Sequence, residues 1–135
     1  MKKSQVSTEY LVIMGFAVLA TIPMLAIYYS SQSEASESAS TSQALQIARA
    51  IVDNSESVYY IGEPSKVTLK LNFPNNIQSA TLDNREVLFK VRTRAGLNDI
   101  FQVSNVNITG SLPTSAGIHI ITIASASDHV VVSSN

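Results

Sequence analysis

Polarity changes twice along this chain, and each change marks a different element. From Tyr10 to Tyr29 no residue is charged and almost all are apolar. A helix rises about 1.5 Å per residue, so the run covers about 30 Å, the thickness of a bilayer's hydrocarbon core. It is apolar on every side, which suits a helix surrounded by lipid or by other apolar helices. Residues 30–43 form a Ser/Ala/Glu tract without Gly or Pro. Such a tract has the composition of a solvated linker, yet Ala, Glu and Gln also tolerate helix. From Ala44 onward the apolar positions Ala44, Leu45, Ile47, Ala48, Ile51 and Val52 recur at spacings of three and four, with Val58 and Tyr59 following on the same side. That is the face of an amphipathic helix. The pattern predicts one long helix from about Val6 to Tyr59, with any fraying in the serine tract. Gly62-Glu63-Pro64 ends it, because glycine suits the exit from a helix and proline cannot continue one.

At Lys66 the period becomes two. Val67, Leu69, Leu71 and Phe73 alternate with polar neighbours, as in a half-buried strand. Pro74-Asn75-Asn76 reads as a turn, 77–82 as a short strand, Asp83-Asn84 as a tight hairpin and 87–93 as its return strand. Ala95-Gly96-Leu97-Asn98 reads as the next turn. Strands are expected at 100–103, 106–109, 118–123 and 130–132, with a loop from Gly110 to Gly117. The expected class is α+β: a long N-terminal helix over 5–62, then an antiparallel sheet or small sandwich over 63–135. The sheet is the natural cover for the helix's apolar stripe.

Composition narrows the function classes. The formal net charge is −1, so no broad basic field attracts nucleic acid, and no nucleic-acid partner is expected. The absence of cysteine excludes disulfides, thiolate catalysis and Cys-based metal sites. Lys2 and Lys3 precede the apolar run, and no Lys or Arg recurs before Arg49. The positive-inside bias therefore places the N-terminus in the cytoplasm and everything after Tyr29 outside. Pro23 lacks the N–H of a helical hydrogen bond and is the expected kink; Gly15 offers a surface where another helix can approach closely.

No set of residues in the β region supports catalysis. His119 and His129 lack an acidic third partner, and both read as ordinary strand or loop residues. No phosphate loop, nucleophile elbow or spaced carboxylate pair occurs, so neither enzyme activity, a cofactor nor a metal is expected. Lys66, Lys70, Lys90, Arg92 and Arg94 read as the solvated side of strands rather than as a basic stripe. Asn107-Ile108-Thr109 is an N-glycosylation acceptor pattern that the topology exposes outside, which makes Asn107 the candidate glycan site.

Glu9 stands apart. A carboxylate at the threshold of a membrane-length apolar run is costly to desolvate unless something positive neutralises it. A chain cut before Gln5 would carry a new α-amino group four residues ahead of Glu9, able to neutralise that carboxylate or a neighbouring subunit's. The stretch Lys2-Lys3-Ser4-Gln5-Val6-Ser7-Thr8-Glu9-Tyr10-Leu11 closely resembles the class III signal peptides of archaeal type IV pilin-like proteins, whose Gln-x-Ser-x-Glu core falls here on Gln5, Ser7 and Glu9. The resemblance implies removal of residues 1–4 by a prepilin peptidase cutting between Ser4 and Gln5, with Ser4 small enough for the site. It also implies a registering role for Gln5 and Glu9 between subunits. The stretch from Ala48 to Ser65 is similar to that family's junction between helix and sheet.

Three functions follow as expectations. The first is a subunit of a type IV pilus-like surface filament, a helical homopolymer used for adhesion. It would be held in the membrane before assembly by the 10–29 segment and handled by an assembly ATPase and a membrane platform protein. The second is a membrane-anchored extracellular binding module that never polymerises. The third is a minor pilin-like component of a secretion or uptake machine. A secretory signal peptide fits less well, because its apolar core is shorter and a small-x-small cleavage site is lacking after Tyr29.

Overall fold

The computed structural model describes residues 2–135, with side-chain surroundings from Ser7 onward. Among the described residues the chain has an α+β layout: one helix, α1 (Lys2–Ile61), followed by seven strands. It divides into two compact units between Ser36 and Glu37.

In the first unit, every side chain from Ser7 through Gln32 is exposed. Pro23 lies inside the helix, and the helix runs through it. The serine tract is helical too. With no Gly or Pro to break it, its hydroxyls bond back onto the helix: Ser30 Oγ donates to the Ile27 carbonyl at 2.9 Å and Ser33 Oγ to that of Tyr29 at 3.4 Å.

In the second unit, Ala44, Ile47, Ala48, Ile51, Val52, Ser55 and Val58 of α1 are all buried, in the three-and-four spacing of one helical face. The helix ends at Gly62, whose φ of +86° lets its N–H reach the carbonyls of Val58 and Tyr59, both at 3.1 Å. Ser65 Oγ donates to the Val58 carbonyl at 2.8 Å and satisfies it a second time.

The strands are β1 (Lys66–Phe73), β2 (Ile77–Asp83), β3 (Glu86–Thr93), β4 (Gly96–Val103), β5 (Ile108–Gly110), β6 (Gly117–Ser125) and β7 (Val130–Ser134). They form two sheets, one ordered β1-β6-β7-β5 and the other β2-β3-β4. All pairings are antiparallel except β5 with β7, which is parallel. The inward residues of both sheets join the helix's buried face in one core; Phe73 of one sheet meets Phe89 of the other edge-to-face with centroids 6.1 Å apart.

Three boundaries differ from the sequence pattern. The β2–β3 hairpin turns on Asn84-Arg85 rather than Asp83-Asn84, because Asn84 takes the left-handed φ of +49° and leaves Asp83 paired with Glu86. Gly96, Leu97 and Asn98 belong to β4, not to a turn: Thr93 pairs with Gly96 and the reversal falls on Arg94-Ala95. Residues 104–107 are irregular although Val106 is buried. That segment is pinned instead to the β2–β3 hairpin: Ser104 N–H donates to the Arg85 carbonyl at 2.7 Å, and Ile108 N–H to that of Asn84.

Candidate functional site

The chemistry-bearing residues of the β domain are dispersed. Ring Nε2 of His119 lies 3.0 Å from the Ser115 carbonyl, and the ring packs edge-on against Phe73. His129 pairs through Nδ1 with its neighbour Asp128 at 2.6 Å, and this hydrogen bond and the imidazole's charge hold the Asp128 carboxyl below its usual range. The histidines thus have separate local partners. Among the described residues no group of three His, Cys, Asp or Glu side chains converges to hold a metal.

The basic residues fall into separate places. Lys66 and Lys70 lie on β1 of the four-stranded sheet, Lys90 and Arg92 on β3 of the other, and Arg94 in the β3–β4 turn. Glu37 accepts the Arg94 backbone N–H at 3.1 Å and approaches its guanidinium at 3.9 Å. A wide, open groove of about 530 Å³ lies here, with Glu37, Asn75, Gln78 and Arg92 on its rim. Glu56 makes a matching clip further along α1, accepting from the backbone and side-chain amides of Asn105 at 2.9 and 3.0 Å. Both carboxylates tie α1 to loops of the β domain. The sequence pattern carried no signal for either clip, since the partners lie 57 and 49 residues away.

Asn107 is exposed immediately before β5. Its Oδ1 accepts from Arg85 Nε at 3.4 Å, and Thr109 Oγ1 donates to the Val130 carbonyl at 3.4 Å.

The first half of α1 presents a chemically unusual surface instead. From Ser7 the helix is long and apolar enough to cross a membrane, and no part of that apolar window is buried. Leu11, Phe16 and Met24 are 66, 76 and 74 % exposed. A side chain of that kind loses roughly 1.5–3 kcal/mol of burial free energy by facing water, so the segment requires an apolar surrounding from outside the chain. Glu9 stands exposed at its start, one turn before Ile13. The side chains of Ser4 and Gln5 lie outside the described residues. No protein family, curated protein or solved structure matches the chain.

Proposed function

We propose that this chain is the structural subunit of an archaeal type IV pilus-like surface filament. The observation that carries this reading is the wholly exposed apolar segment after Ser7, headed by Gln5-x-Ser7-x-Glu9. The segment needs apolar cover, and the polar motif at its head is what a plain anchor has no use for. Before assembly the cover is lipid, with the N-terminus cytoplasmic. After a prepilin peptidase cuts between Ser4 and Gln5, the cover is the helices of other subunits, packed closely enough to replace lipid contacts by protein contacts. Losing Lys2 and Lys3 removes the two charges that held the N-terminus at the cytoplasmic face.

At the new N-terminus the α-amino group of Gln5 neutralises Glu9 of the same or an adjoining subunit. A subunit in the wrong register would leave that carboxylate unpaired among apolar side chains, so the pair selects one axial offset. Export and polymerisation use an assembly ATPase and a membrane platform protein. The β domain stays in the aqueous environment, where Asn107 is an accessible glycan acceptor and where adhesion takes place.

The same exposed segment also suits a permanent anchor for a binding module. Mechanical shearing of cells separates the two. A filament subunit is released as long polymers that electron microscopy and an antibody to the β domain both detect. An anchored module stays with the membrane fraction, and that result would refute the filament.

A further inference from the structure

Four strands form the edges of the two sheets: β1 and β5 of one, β2 and β4 of the other. A sheet edge presents unpaired backbone N–H and C=O groups and recruits another strand unless something blocks it. Three of these edges are blocked. β1 carries Lys66 and Lys70, and its Asn72 carbonyl already accepts Gln43 Nε2 at 2.6 Å. β2 shifts its register between Ile77 and Ser79, and β5 is three residues long. β4, by contrast, is eight residues long, keeps one register against β3 throughout and contains no Lys, Arg or Pro. Its Leu97, Phe101 and Val103 are 55, 60 and 59 % exposed.

The backbone of β4 has a defined open side. Ser104 N–H donates to the Arg85 carbonyl, continuing the β3–β4 register one step past Glu86–Val103. Hydrogen-bonded pairs alternate with unbonded pairs along an antiparallel ladder. Gln102, Ile100 and Asn98, in step with Ser104, therefore direct their N–H and C=O groups at β3. Leu97, Asp99, Phe101 and Val103 direct theirs at the open edge.

Those four residues are complementary to a second copy of themselves. An added strand must set outward side chains opposite outward ones, so only alternate registers are allowed. Centring two antiparallel β4 strands on Ile100 sets Leu97 opposite Val103 and Asp99 opposite Phe101, in both directions, and pairs every outward peptide group. Centring them on Asp99 would set carboxylate directly against carboxylate, and centring them on Phe101 would leave Leu97 beyond the end of the partner strand. In the Ile100 register the inner row also continues, with Ile100 meeting Ile100 and Asn98 meeting Gln102. The outward row across the joint reads Glu86, Val103, Leu97, Arg92, apolar at its centre with opposite charges at its ends.

We propose that β4 pairs edge to edge with β4 of a second copy about a two-fold axis at Ile100, joining two three-stranded sheets into one of six strands. The pairing goes beyond the filament reading and does not require it. Subunits of one filament all point the same way along it, whereas this contact is isologous, so within that reading the pairs lie between neighbouring filaments.

The chain has no cysteine, so Leu97→Cys and Val103→Cys introduce the only thiols. In the proposed pair each Leu97 faces the other copy's Val103, while the two Leu97 positions stand six residues, about 20 Å, apart. The full-length double variant in detergent, treated with a short bismaleimide, gives a dimer and nothing longer. A mixture of the two single variants also gives dimer, and either single variant alone gives monomer. No dimer from the double variant, a ladder beyond the dimer, or a single variant that cross-links as well as the double overturns the two-fold pairing. None of these outcomes bears on whether the chain forms filaments, which shearing decides separately. Phe101→Pro in the double-cysteine chain supplies a second test. It removes an N–H that faces the open edge and leaves the bonds to β3 in place. Each pair of chains then loses two hydrogen bonds, and the yield of cross-linked dimer falls roughly tenfold while the β domain keeps its cooperative melting transition. An undiminished dimer in a folded Phe101→Pro chain overturns the edge pairing.

Discussion

Replacing Glu9 by alanine is expected to lower the yield of sheared filament roughly tenfold or more, with no loss of membrane insertion. The two halves of that result have separate causes. Insertion depends on the length and apolarity of the run that begins at Tyr10, which the substitution leaves untouched, and alanine crosses into lipid more easily than a carboxylate. In the proposed filament, assembly depends on pairing this carboxylate with the α-amino group that cleavage would create at Gln5, inside an apolar surrounding. Removing one partner leaves the other charge buried and uncompensated, which destabilises far more than the intact pair stabilises. Resistance to alkaline extraction measures the insertion, and protein recovered in the sheared fraction measures the assembly. Normal filaments from the variant would remove Glu9 from the mechanism.

A comparable loss, confined to folding, is expected at Gly110. Its φ is +129°, and an added Cβ would collide with the Val132 carbonyl oxygen across the parallel β5–β7 pairing. That oxygen cannot move freely, because it accepts the Ser111 N–H at 3.2 Å. Gly96 has nearly the same φ, +127°, but open space where a Cβ would lie. Gly96→Ala therefore measures backbone strain alone, about 1–2 kcal/mol, whereas Gly110→Ala adds the collision and reaches about 3 kcal/mol. Scanning calorimetry of the full chain in detergent should show the β-domain Tm falling by roughly 15 °C for Gly110→Ala and by about a third to two-thirds of that for Gly96→Ala. Equal shifts in the two variants would show that β5 and β7 can separate without loss.

The contrast between these two glycines also shows where the sequence was legible. Both stand among turn-like residues, and nothing local distinguishes a glycine that opens a strand from one pressed against another strand's carbonyl. Periodicity carried the elements whose faces are sharply divided. Ile47, Ile51 and Val58 mark the buried helix face, and Val87, Phe89 and Val91 the inner face of β3. It failed where pairing rather than side-chain pattern sets the structure. The first half of β4, Gly96–Asp99, is exposed throughout and is a strand only because β3 pairs with it. Residues 104–107 show the reverse: Val106 is buried as a strand residue would be, but the backbone is held by the β2–β3 hairpin and by Glu56. The division into two sheets, and with it the separation of Lys66 and Lys70 from Lys90 and Arg92, follows from long-range register that no local window contains.

At the N-terminus the position is different. Lys2, Lys3, Gln5, Ser7 and Glu9 carry their meaning in order and spacing alone, and the structure adds that the apolar segment behind them is uncovered within the chain. Anchor and assembly element share the basic flank and the uncovered apolar segment, and differ in whether the chain is cut before Gln5. The most direct test is therefore the intact mass and N-terminal sequence of the chain recovered from the sheared surface fraction. An assembly element begins at Gln5, lacking residues 1–4. A surface-recovered chain that still carries Lys2 and Lys3 would contradict the processing step and the register that depends on it.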